Sequence, residues 1–86
     1  MNIYLIEQSK NLGYDTYDSA VVVARSVKDA RSIHPRLDWF RRNGMKEWNG
    51  KDDDSWVDAK YVIVTYIGKA SPKMDRSVVC ASFHAG

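Results

Sequence analysis

The chain predicts an α+β domain of order β-β-α-β-β, a largely antiparallel four-stranded sheet with one short helix packed on it. Three observations carry that reading. Four short apolar runs are bounded by turn-forming residues, as strands are. One capped segment with apolar residues at every third position lies between the second run and the third. At 86 residues, 44% hydrophobic and 12% aromatic, the chain is long enough for a single core yet near the size where stability is marginal. No internal repeat, low-complexity tract or domain boundary divides residues 1–86.

The first strand is expected from Ile3 to Gln8, where large apolar residues precede polar turn formers. The second runs from Ser19 to Arg25. Its three consecutive valines suit a pleated sheet better than a helix, and being apolar on both alternating faces it reads as a central strand covered on each side. The loop between them, Ser9 to Asp18, is rich in Asn, Gly and Asp. Asp15 and Asp18 are expected to rigidify it by accepting from nearby amides, with Tyr14 and Tyr17 at its surface or against the sheet edge.

Ser26 and Asp29 approximate a capping box, so a helix starts there. Val27, Ala30 and Ile33 give it one apolar stripe, and His34 before Pro35 ends it. His34 is thereby placed at a helix C-terminus, where an imidazolium is favoured. The third strand is expected from Lys60 to Ile67, with Tyr61, Ile63, Thr65 and Ile67 on one face and Val62, Val64 and Tyr66 on the other. A turn containing Pro72 leads to the fourth, Ser77 to Phe83.

Residues 36–56 form a basic, aromatic insert. Arg36, Arg41, Arg42, Lys46 and Lys51 supply cations, Trp39, Phe40 and Trp48 supply rings, and Asp52, Asp53 and Asp54 close it. Such a mixture suits a protein–protein hot spot. Cations with rings also suit single-stranded nucleic acid, although Asp38, Glu47 and the aspartates oppose a phosphate backbone. The alternative is structural: the rings close one end of a small core and the charges are solvated. The aspartate run lacks the glycine and glutamate of an EF-hand and reads as a solvated turn, or as a local phosphate mimic facing an arginine-rich partner.

Catalytic chemistry finds little support. Cys80, His34 and His84 are the only residues from which a thiol mechanism could start, and a nucleophile needs a base within hydrogen-bond reach. Along a strand His84 lies ~13 Å from Cys80. Cys80, inside an apolar run, is expected to be a buried, inert thiol. One cysteine excludes an internal disulfide and a multi-thiolate metal site, and no metal or cofactor is expected. A net charge of +2 excludes a strongly acidic DNA mimic and gives only slight support to non-specific nucleic-acid binding. The apolar start is too short for a signal core, and no run of about 18 apolar residues occurs, so a soluble cytosolic protein is expected.

Three stretches taken together carry a resemblance: Gly13 to Ala24 (GYDTYDSAVVVA), Ala30 to Pro35 (ARSIHP), and Tyr66 to Gly68 with the ending Cys80 to Gly86 (CASFHAG). They resemble a group of small proteins encoded by bacteriophages and prophages. The likeness covers most of the chain, is weakest from Leu37 to Trp56, and carries over no catalytic residue. It implies a host bacterial cytoplasm and a role in the contest between phage and host. Small phage proteins of this kind often occlude a host complex, as anti-CRISPR proteins do. The expected function is therefore stoichiometric binding to a bacterial defence protein or nucleoprotein complex. A nucleic-acid-binding accessory role and a small structural phage protein that self-associates through a sheet edge are the alternatives.

Overall fold

The computed structural model describes residues 1–45 and 47–84, and they form the expected α+β fold. Strands β1 (Asn2–Glu7), β2 (Thr16–Ala24), β3 (Ile63–Lys69) and β4 (Ser77–His84) make one sheet in the order β3-β1-β2-β4. All three pairings are antiparallel. Helices α1 (Val27–Arg31) and α2 (Leu37–Arg42) and a 3₁₀ turn at Ala59–Tyr61 complete it.

The helices lie on one face of the sheet. Alternation turns Tyr4 and Ile6 of β1, and Ala20, Val22 and Ala24 of β2, toward Ala30, Ile33, Leu37, Trp56, Val57 and Val62, and these residues form the core. On β3 the expected division holds in part: Val62 is buried and Val64 half-buried while Ile63, Thr65 and Ile67 are exposed, but Tyr66, expected with the two valines, is 55% exposed. The strand starts later than expected, because Tyr61 belongs to the 3₁₀ turn. β2 is central in the strand order, but Val21 is only half-buried, so its second face is not fully covered.

The first loop is shorter than expected and differently held. β2 begins at Thr16 because Thr16 and Tyr17 already pair with His84 and Phe83. Asp15 and Asp18 do not organise the loop; buried Gln8 does. Its Nε2 donates to the carbonyls of Asn11 (2.6 Å) and Tyr17 (2.9 Å), while its Oε1 accepts from the amides of Lys10 and Asn11. A long amide side chain with two donors and an acceptor can satisfy several turn groups at once, which a short carboxylate cannot.

α1 is capped as the sequence predicts, with Ser26 Oγ accepting from the Asp29 amide and Asp29 Oδ2 accepting from the Arg25 amide. α2 is an element the sequence reading lacks. It ends in a Schellman motif: Gly44 adopts φ +64, its amide donates to Arg41, and the Met45 amide donates to Phe40.

Arg76, just before β4, ties three segments together. Its Nε meets Asp29 Oδ1 at 2.9 Å, its guanidinium meets Glu47 Oε1 at 2.5 Å, and it donates to Ser32 Oγ at 3.2 Å. The side chain is 9% exposed and Asp29 19%, so the Asp29 arm carries the energy, while the Glu47 arm, at 67%, is screened. Arg76→Met should lower unfolding free energy by about 2–3 kcal/mol, mostly from leaving Asp29 unpaired. Asp29→Ala in the same background should cost only about 1 kcal/mol further, the loss of its bond to the Arg25 amide, and a double-mutant cycle in urea checks that coupling.

Candidate functional site

The insert is built outward from His34. This residue lies beyond the C-terminus of α1, fully buried, and does not sit at the helix end as an imidazolium. Phe40 (5.2 Å), Trp48 (5.5 Å) and Trp56 (6.4 Å) surround its ring. Nδ1 accepts from the Arg36 amide and Nε2 meets Asp53 Oδ2, both at 2.9 Å. An amide can only donate, so Nδ1 must keep its lone pair and the proton sits on Nε2.

Burial pulls the His34 pKa below its ordinary value, and Arg36 adds to this against the opposing pull of Asp53. For Asp53, burial pushes upward but is outweighed by the amide and hydroxyl of Ser55 and by His34, so its carboxyl stays below the usual range. Its Oδ1 accepts from Ser55 N, Ser55 Oγ and Trp56 N, an Asx-type turn that drives Trp56 into the core. An Asp–His pair is the base half of a nucleophilic site, but here both ring nitrogens are occupied. Its chemistry is structural: it pins the insert to the domain.

This network sorts the expected binding residues. Phe40, Trp48 and Asp53 face it, and Trp48 packs on the core while its Nε1 donates to the Lys51 carbonyl. Trp39 turns outward, 37% exposed, edge-on to Phe40 at 5.5 Å, with the Arg36 guanidinium 4.7 Å over its ring. Arg41 and Arg42 are exposed at the end of α2. Asp52 and Asp54 are exposed, and Asp54 lines a concavity of about 370 Å³ with Arg36, Tyr17 and Phe83. A second, of about 380 Å³, is lined by Phe40, Met45, Trp48, Asp52 and Asp53. Lys46 lies outside the described residues, as do Ala85 and Gly86 of the terminal motif.

Cys80 is exposed, not buried, because β4 is an edge strand and alternation turns the thiol away from the helices. His34 is fully buried whereas Cys80 is exposed, and His84 packs edge-on to Tyr14 at 5.2 Å. Among the described residues no three His, Cys, Asp or Glu side chains cluster to hold a metal, and no helix is long and apolar enough to cross a membrane.

Sequence reasoning missed Trp56, Arg76 and α2. The Asn43–Gly44 stop was the legible signal for the helix. No protein-family model matches the chain, and neither a curated protein nor a solved structure matches it.

Proposed function

We propose that the protein acts by occupancy: it binds another protein through the outward edge of α2, with Trp39 as the anchor and Arg36, Arg41 and Arg42 as its charged surround. The supporting observation is the contrast within one aromatic cluster. Three rings turn in around His34, while Trp39 is held out with a guanidinium stacked on it, a pre-ordered amphipathic pair that loses little freedom on binding. Exposed Asp52 and Asp54 add an acidic margin that favours a partner of mixed charge over a bare phosphate backbone. The phage resemblance gives this reading its biological form: a non-enzymatic inhibitor, without cofactor, of a bacterial defence protein or nucleoprotein complex in the host cytoplasm.

The test is a tagged pull-down from bacterial lysate with and without nuclease, using the wild type and Trp39→Ala. The expected result is a defined host complex that survives nuclease and is lost by at least about tenfold with Trp39→Ala, at unchanged melting temperature. Recovery abolished by nuclease would move the protein to the nucleic-acid-binding class. Equal recovery by the variant would remove Trp39 as the anchor.

A further inference from the structure

Buried His34 and exposed Trp39 are joined through one residue. Arg36 gives its amide to His34 Nδ1 at 2.9 Å and lays its guanidinium over the Trp39 ring at 4.7 Å. It is also where α2 begins, its carbonyl accepting from the Phe40 amide at 3.1 Å. Buried Pro35, between His34 and Arg36, has a fixed φ and no N–H, so a displacement at this joint falls on Arg36 itself. Among the described residues the guanidinium makes no ion pair or hydrogen bond that would hold it once the stack is disturbed.

This arrangement fits only the neutral ring. With the proton on Nε2, Asp53 is met by a donor and the Arg36 amide by a lone pair. A second proton sits on Nδ1, facing the Arg36 N–H. The imidazolium keeps Asp53, which attracts it more strongly, and loses Arg36 twice over: the amide has no acceptor, and the guanidinium meets a like charge. Asp53 and Arg36 are the charged groups that face the ring; its other walls, Phe40, Trp48 and Trp56, are uncharged. We infer that His34 is a proton-operated latch on the Trp39 surface: a second proton on its ring frees the Arg36 amide, Arg36 leaves Trp39, and the outward edge of α2 loses its order while the sheet stays folded. The latch is a property of the free chain, and only its use, the release of a partner in acid, rests on the reading of Trp39 as an anchor. In that use the affinity should fall by up to roughly tenfold for each pH unit below the His34 midpoint, and a bound partner should in turn keep the ring neutral.

The test is a nitrogen–proton NMR titration of the free full chain, downward from about pH 7.5. No partner is present, so its outcome stands apart from whether Trp39 meets one. The Arg36 amide and Trp39 indole signals should shift with the same midpoint as the His34 ring, while the core amides of Ile6 and Val22 stay in place. His34→Asn keeps a side-chain oxygen near the Nδ1 position to accept the Arg36 amide and cannot take up a proton, so both signals should be flat over the same interval. If that variant does not fold, the wild-type titration decides. A ring that stays neutral until the Ile6 and Val22 signals collapse overturns the inference, because protonation is then unfolding and not a local release. So does an Arg36 amide that titrates while Trp39 stays still, or a Trp39 signal that titrates alike in His34→Asn.

Discussion

Trp56→Ala is expected to lower unfolding free energy by about 3–5 kcal/mol, a large share of the stability of a domain of this size. Trp56 is completely buried and is the largest of the fully buried side chains. It sits where the sheet, the His34 cluster and the insert meet, so the hole left behind has walls on several elements and cannot collapse from one side. Its indole N–H has no hydrogen-bond partner among the described residues. Trp56→Phe therefore removes an unpaired donor along with volume, and should cost only about 1–2 kcal/mol. Urea unfolding of the two variants is the check. Equal losses would mean that the N–H is satisfied in solution, and a loss below about 1 kcal/mol for alanine would mean that the site is not core.

The second large effect is acid sensitivity centred on His34. The folded state holds its pKa below the ordinary 6.5, so the unfolded chain takes up the proton first. The stabilisation is complete above pH 6.5 and is lost as pH falls from there toward the lower folded value. Asp53, also depressed, adds a loss of the same sign below its ordinary 3.8. His34→Ala should cost about 3 kcal/mol at neutral pH, because it empties a ring-lined site and strips the Arg36 amide of its acceptor. Asp53→Asn should cost less, about 1 kcal/mol, since that carboxylate is 42% exposed and water screens its charge. Urea midpoints measured between neutral pH and about pH 5 decide the matter. The wild type should decline with acid, and His34→Ala should be flat over the same interval. A parallel decline in both would assign the sensitivity to other groups.

Much of the fold was legible because alternation in a strand is a local property. The division of Val62 and Val64 from Ile63, Thr65 and Ile67 follows from period two alone. The Ser26–Asp29 cap was equally local. What escaped depended on distance. Arg76 finds Asp29 across 47 residues, and nothing near Arg76 announces that partner. α2 has a single buried residue, Leu37, and so shows no apolar stripe. The three tryptophans look alike in sequence. Their different fates are decided by the Asp53 turn, which sends Trp56 inward, and by His34, against which Trp48 packs. Cys80 was misjudged because a run of apolar neighbours does not say which strand will be an edge.

The strand order has a consequence for how the chain assembles. Only the central pair, β1 with β2, joins neighbours in sequence, across the short loop that Gln8 organises. Each outer strand must instead close a loop of roughly fifty-five residues before its first ladder bond forms, and once one has docked the short connection from Lys69 to Ser77 makes the second closure cheaper. The inner hairpin is therefore the expected nucleus, with β3 and β4 condensing on its two flanks. Folding speed then belongs to the residues around Gln8. Substitutions in the aromatic cluster around His34, outside that hairpin, are then expected to act mainly on the unfolding rate.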